Sequence, residues 1–195
     1  MTPPKTPIIL ASSSRWRSEA LQRLGVKFSC QDPNIDEQPR QGEPCQALAA
    51  RLARDKMHAI SSKNPDHVVI GSDQVACFQG APVPKPTTLE AVHQQLRQQS
   101  GQTVTFYTAL CVGQGSQIRE YCDITQVTFK TLSDRQIDNY LKREQPLGCA
   151  GGFQVEGFGV ALFEQINNSD PSALVGLPLL KLASLLNEFG VDPLA

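Results

Sequence analysis

The chain has 195 residues, a formal net charge of -1 and 40% hydrophobic residues, the balance of an ordinary globular protein and of one domain spanning 1–195. That charge lacks the basic excess which non-specific nucleic-acid binding needs, so no stable nucleic-acid partner is expected. Six scattered cysteines (Cys30, Cys45, Cys77, Cys111, Cys122, Cys149), without CxxC spacing or paired histidines, exclude an obvious zinc site and read as reduced, mostly buried thiols.

The opening Met1-Thr2-Pro3-Pro4-Lys5, with only a short apolar run from Pro7 to Ala11 behind it, lacks the long apolar core of a secretory signal. Ile8-Ile9-Leu10 reads as a buried strand, Ala11 to Ser14 as a turn, and Arg15 to Leu24 as a helix ended by Gly25. A short strand around Phe28 gives way to a loop from Asp32 to Gly42, and Pro44 starts a helix running to about Ser62. His67 to Ile70 is a β-branched strand entering Gly71-Ser72-Asp73-Gln74, with apolar character resuming from Val75 to Phe78. After a proline-rich loop from Gly80 to Pro86, Thr87 and Glu90 form a capping box for a helix with Leu89, Val92 and Leu96 on its core face.

Thr103 to Val112 and Ile118 to Phe129 pair as a long hairpin across a Gly113 to Ser116 turn. Ser133 and Gln136 cap a helix that buries Ile137, Tyr140 and Leu141. A glycine-rich loop from Gly148 to Gly159 feeds a strand from Val160 to Ile166, and a helix from Leu179 to Phe189 closes at Gly190. Helices and strands interleave throughout, so the expected class is α/β with a mixed sheet. The most apolar stretch, Leu174 to Leu186, is broken by Pro178 and Lys181 and falls short of the roughly 20 residues of a membrane span. With the thiols, this points to a cytoplasmic location and no membrane partner.

Several residues carry chemistry. Ser12, Ser13 and Ser14 lie at a helix N-terminus that also bears Arg15 and Arg17, and two cations there oppose the helix dipole unless an anion binds. The plainer reading is that Ser14 caps the helix and the arginines are solvated. Trp16 shares a face with Ala20 and Leu24, which suits core packing, with base stacking as the alternative. Lys56 interrupts the stripe Leu48, Leu52 and Ile60, so its ammonium either snorkels or turns inward as a point charge for phosphate. Asp73 follows a central strand, where open α/β sheets keep ligand-binding groups, and suits metal binding or water activation as well as a turn.

Asp36 and Glu37 supply a second acidic pair that could complete an oxygen-rich site for Mg²⁺ or Mn²⁺. Lys85, held between Pro84 and Pro86, is aimed at low entropic cost and suits a phosphate clamp or an exposed loop position. Glu156 stands among glycines that allow a planar ligand to approach the backbone, or is a surface loop glutamate.

Taken in order, Leu10-Ala11-Ser12-Ser13-Ser14 with Arg17, Asp36-Glu37, Ala53-Arg54-Asp55-Lys56, Gly71-Ser72-Asp73-Gln74, Lys85-Pro86 and Gly176-Leu177-Pro178 resemble the Maf family of nucleotide pyrophosphatases along nearly the whole chain. The resemblance implies a fold related to inosine triphosphate pyrophosphatases, an elongated mixed sheet flanked by helices with a cleft between two lobes. It also implies divalent-metal-dependent cleavage of a nucleoside triphosphate to monophosphate and pyrophosphate. On that basis Asp73 matches the general base and metal-linked carboxylate, Glu37 the second acidic group, and Ser12, Arg17, Lys56 and Lys85 the phosphate-contacting positions.

Trp16, Gln74 and Glu156 are similar to the branch that acts on 7-methyl-GTP, whereas the dTTP and UTP branch carries arginine, threonine and glutamine. The chemistry agrees, because N7 methylation makes guanine cationic and tryptophan is the best aromatic face for a cation, at about 0.5–2 kcal/mol. A glutamate can accept from both N1–H and the exocyclic amine of that base. Arg15, where the family often has proline, and Pro84, where glycine is usual, are departures in loop geometry. The expected partner is a small nucleotide, and a homodimer is compatible with the sequence. Two rival readings are a pyrimidine triphosphate pyrophosphatase and a non-catalytic nucleotide-binding regulator of cell division.

Overall fold

The computed structural model describes residues 7–195, so the opening Met1 to Lys5 segment lies outside the described residues. The elements in chain order are β1 (Ile8–Ala11), α1 (Arg15–Gln22), β2 (Phe28–Gln31), α2 (Cys45–Ser61), β3 (Val68–Phe78), β4 (Ala81–Pro82) and α3 (Leu89–Gln99). There follow β5 (Thr103–Gln114), β6 (Gln117–Phe129), α4 (Asp134–Arg143), β7 (Phe163–Asn167) and α5 (Leu179–Glu188), with single 3₁₀ turns at Ala150–Gly152, Phe158–Leu162 and Ala173–Val175. Seven strands form one mixed sheet in the order β2-β1-β3-β5-β6-β7, with β4 paired to the far end of β3. β1 runs parallel to β2 and β3, and the rest is antiparallel.

Alternation along the strands sends successive side chains to opposite faces. Ile8 and Leu10 of β1, with Ile70 of β3, pack under α5 against Leu182 and Leu186. Ile9, Ala11 and Val69 face the other way, against Leu48, Leu52 and Met57 of α2. A third cluster at the other end of the sheet joins Val92 and Leu96 of α3, Ile137 and Tyr140 of α4, and the Phe106, Phe129, Phe153 and Phe163 rings in edge-to-face contacts.

Three local expectations change. The helix after the proline-rich loop is capped one residue later than expected: Thr88, extended at φ -132°, accepts from the Ala91 amide, so Leu89 is the first helical residue and faces water. Gly71 to Gln74 is not a strand exit, because β3 continues through it, hydrogen-bonded to β5 up to Cys77. The Val160–Ile166 strand starts later, as Phe158–Leu162 winds into a 3₁₀ turn before β7.

The thiols are not all free. Cys45 and Cys77 form a disulfide that ties the first residue of α2 to the end of β3, while Cys30 is exposed, Cys122 and Cys149 half-buried and Cys111 buried. Residues 32 apart in sequence meet because helix and strand pack against each other, a proximity that spacing does not reveal. The cross-link removes one of the two grounds for expecting a reducing compartment. Among the described residues no helix is long and apolar enough to cross a membrane.

Candidate active site

The site forms where β1 stops and β3 continues. β1 pairs with β3 only as far as Leu10 opposite Ile70, so from Gly71 onward one edge of β3 lies beyond its parallel neighbour. The chain leaves β1 through Ser12 to Ser14, and Ser14 caps α1 by accepting from the Arg17 amide. Ser12 in turn accepts from the Ser14 amide at 3.1 Å, which fixes the serine turn.

Pleating divides the β3 side chains between two tasks. Ser72 and Gln74 point to the Ala173–Val175 side: Ser72 Oγ donates to the Gly176 carbonyl at 2.9 Å, and Gln74 Nε2 donates to Thr108 Oγ1 and the Ala173 and Leu174 carbonyls. Asp73 points the opposite way, toward α2. Gly71 makes that approach possible, since a Cβ there would fall onto the Ala53 carbonyl and lie 2.8 Å from the Met57 amide. Without a side chain at 71, α2 packs close enough for Lys56 to reach Asp73.

Lys56 turns inward and is 4% exposed. Its Nζ lies 2.5 Å from Asp73 Oδ1 and 2.7 Å from Glu37 Oε1, so one ammonium sits between both carboxylates. Arg17 joins from α1, with Nη2 3.8 Å from Asp73 Oδ1 and Nε donating to the Gly176 carbonyl at 2.9 Å. Burial works to raise the Glu37 carboxyl, but the hydrogen bond from Lys56 and the charges of Lys56, Lys85 and Arg17 outweigh it and hold it below the ordinary carboxylate value. The loop that brings Glu37 in is anchored by Arg51, which donates to both Glu43 oxygens and to the Gln38 carbonyl. The Arg51 hydrogen bond, helped by the Arg40 amide, pulls the Glu43 carboxyl down to about 2.

These groups open into two adjoining chambers. One, of about 300 Å³, is lined by Ser12, Ser13, Ser14, Arg17, Glu37, Lys56 and Lys85 together with Asp32 to Ile35. Its neighbour, of about 250 Å³, is lined by Trp16, Gln74, Gln154 and Glu156 among others, and shares Ser14, Arg17 and Lys85 with the first. All eight of the nominated side chains other than Asp73 therefore line one chamber or both. Asp73, 2% exposed, lines neither: it lies behind Lys56.

Some expectations change here as well. Trp16 is not a core residue but 36% exposed on a chamber wall, because α1 buries Ala20 and Leu21 instead. Arg15 turns away, pairing with Glu19 at 2.6 Å in water, so only Arg17 of that pair serves the cleft. Asp36 accepts from the Gln38 amide in a local turn and leaves Glu37 as the inward acid. Glu156 stays exposed; desolvation by the surrounding wall, with the charges of Glu144 and Glu19, nevertheless raises its carboxyl above the ordinary value.

Sequence reasoning missed the Ala173–Gly176 turn, whose carbonyls hold Arg17, Ser72 and Gln74. Gly176, at φ 106°, was visible only as part of a Gly-Leu-Pro motif. No group of three or more potential metal ligands occurs among the described residues. The Asp73 and Glu37 carboxylates, which converge on the single Lys56 ammonium, are hard oxygen donors that could hold a divalent cation.

The chain resembles known proteins along nearly its whole length. The chain is 47% identical over 191 residues to the 7-methyl-GTP pyrophosphatase of Nitrosococcus oceani, covering 97% of this chain and 96% of that protein. It is 46% identical to the protein of that name from Polaromonas (98% and 88% covered) and 44% identical to the one from Bordetella pertussis (98% and 96%). The solved structure of the Staphylococcus aureus Ham1 protein aligns with a TM-score of 0.46 and 13% identity, covering 64% of this chain and 72% of that one. Residues 7–189 match the family described as Maf-like protein, and with relatives this similar along its whole length the chain belongs to that family.

Proposed function

We propose that the chain hydrolyses 7-methyl-GTP to 7-methyl-GMP and pyrophosphate with the help of a divalent metal. The observation that carries this reading is the pair of chambers joined through Ser14, Arg17 and Lys85: one is lined by three cations and three serine hydroxyls together with the Asp32 and Glu37 carboxylates, the other by Trp16 and Glu156. Relatives named 7-methyl-GTP pyrophosphatase support the choice of substrate.

The polyphosphate occupies the first chamber, where Arg17, Lys56 and Lys85 neutralise its charge and the Ser12 hydroxyl donates to it. The methylated guanine enters the second, its positive ring against Trp16 and its N1–H and amine toward the Glu156 carboxylate. The shared wall then falls at the α-phosphate, which sets the point of cleavage. Incoming phosphate draws the Lys56 ammonium away from Asp73 and Glu37 and uncovers Asp73 beside the chamber-lining Glu37. Asp73 orients a water and takes its proton as the oxygen adds to the α-phosphorus, and the bond to the bridging oxygen breaks to release pyrophosphate. Mg²⁺ or Mn²⁺ held by Asp73 and Glu37 would supply Lewis-acid charge to the phosphate oxygens.

The test is pyrophosphate release from 7-methyl-GTP, GTP, UTP, CTP and dTTP, with Mg²⁺ or Mn²⁺ and with EDTA. The highest kcat/KM is expected on 7-methyl-GTP, with loss in EDTA and in Asp73→Asn. Higher turnover of the pyrimidine nucleotides would reject the base assignment, and no turnover at all would make the chain a binding module.

A further inference from the structure

Glu156 sits in the turn that leads into the 3₁₀ segment Phe158–Leu162, outside any strand or α-helix that would fix its place. Both ends of that turn are fastened to the carboxyl end of α4. At one end, the Gln154 amide donates to Tyr140 Oη at 3.3 Å. At the other, the carboxylate of Glu144, one residue past α4, accepts from the Phe158 amide through Oε1 and from the Gly159 amide through Oε2 at 3.1 Å.

The neighbouring residues are shaped to that carboxylate. A Cβ at Gly159 would fall onto the Gln154 carbonyl, so the turn needs that glycine to close, while one at Gly157 would fall onto Glu144 Oε1 and displace the carboxylate from its place. The Phe158 ring stacks on Tyr140, 6.5 Å between centroids, and lies 4.4 Å from the Arg143 guanidinium carbon. Glu144 itself lines neither chamber.

We propose that Glu144 is a positioning residue for base selectivity: by clamping the Phe158 and Gly159 amides it fixes where Glu156 meets the substrate's base. The proposal rests on the reading of Glu156 given above. Charged acceptors on backbone amides are among the stronger hydrogen bonds in proteins, so the clamp is stiff enough to define a side-chain position.

The test compares Glu144→Ala, Glu144→Gln, Glu156→Ala and the double variant Glu144→Ala/Glu156→Ala on 7-methyl-GTP and UTP. Glu144→Ala is expected to raise the KM for 7-methyl-GTP about tenfold with kcat changed less than about threefold and UTP kinetics unmoved, since only the base contact is lost. Glu144→Gln, which keeps one acceptor oxygen, falls between. The double variant should be no worse than Glu156→Ala alone, because the two residues act as one unit. Additive losses, or equal losses on UTP, would overturn the clamp and leave the base assignment standing.

A Glu156→Ala variant with unchanged preference for 7-methyl-GTP over UTP would overturn both. Amide hydrogen exchange gives a readout without substrate: Phe158 and Gly159 should exchange faster in Glu144→Gln, and unchanged protection there rejects the clamp even if the chain turns over no nucleotide.

Discussion

Replacing Lys56 with methionine tests the centre of the site most directly. The substitution keeps the length of the side chain in its apolar stripe but leaves Asp73, whose side chain is 3% exposed, with Arg17 Nη2 at 3.8 Å as its one remaining counter-charge among the described residues. Breaking a buried ion pair costs about 3–5 kcal/mol. The remaining arginine places this case at the lower end, about 3 kcal/mol, or roughly 6–12 °C in Tm for a domain of this size.

Glu37 provides the contrast. Its side chain is 48% exposed and Lys56 keeps Asp73, so Glu37→Gln should cost about 0–1 kcal/mol. The double variant Lys56→Met/Asp73→Asn should regain roughly half of the stability lost in Lys56→Met, because the neutral amide no longer buries an unpaired charge. Its activity should stay at least about a hundredfold down, since the phosphate cation and the acid are both gone. Circular-dichroism melts and pyrophosphate release measure the two quantities. A Lys56→Met protein that melts within 2 °C of the parent, or a double variant that recovers turnover, would refute the buried pair as the organiser of the site.

Desolvation, with like charge from Glu144 and Glu19, raises the Glu156 carboxyl above 4.5, so folding favours its protonated form. Its contribution to stability is complete below pH 4.5 and fades as the pH climbs through the raised value. Binding a cationic base needs the charged form, so the preference in kcat/KM for 7-methyl-GTP over UTP should grow with pH across that window and be flat in Glu156→Gln. Gly71→Ala should cost about 1–3 kcal/mol or more and lower turnover by pushing α2 off β3, because the new methyl meets backbone atoms. Gly113→Ala is the matched control: its Cβ would crowd the flexible end of Met57 and reach the Gln117 carbonyl only at ordinary contact distance, so melts should show a smaller loss. Thiol titration of the non-reduced, denatured chain should find four of the six cysteines, and reduction should lower stability by about 3–4 kcal/mol for a loop of this length. Six titrating thiols would dismiss the cross-link.

Much of this arrangement was legible in the residues because local rules and the fold agree. The Leu48, Leu52, Lys56, Ile60 stripe is wholly buried, and the Ser133–Gln136 capping box forms as expected. Periodicity left open whether Lys56 snorkels or turns inward; the outcome depends on two acids, Glu37 and Asp73, brought in from other segments. Trp16 shows the opposite failure. Spacing alone groups it with Ala20, yet α1 is only eight residues long and its apolar seam runs through Ala20 and Leu21, which frees the indole for the cleft. The disulfide and the carbonyl nest at Ala173–Gly176 were illegible for a shared reason: each is a long-range contact created by packing, between groups whose residue types predict nothing at that distance.

The buried position of Asp73 has a mechanistic consequence. An aspartate open to the chamber would meet water continuously and face a triphosphate as a repelling charge; behind Lys56 its charge is paired with an ammonium 2.5 Å away. The same ammonium that occupies the place between the two acids is also a wall of the phosphate chamber, so a ligand long enough to reach it competes directly for that charge. In the proposed mode a monophosphate at the wall shared by Ser14, Arg17 and Lys85 would lack the β- and γ-phosphates that reach toward Lys56. On the mechanism proposed above, Asp73 is therefore uncovered by a triphosphate and paired again once only the monophosphate remains, so that one lysine would both sense the substrate and keep Asp73 paired between turnovers.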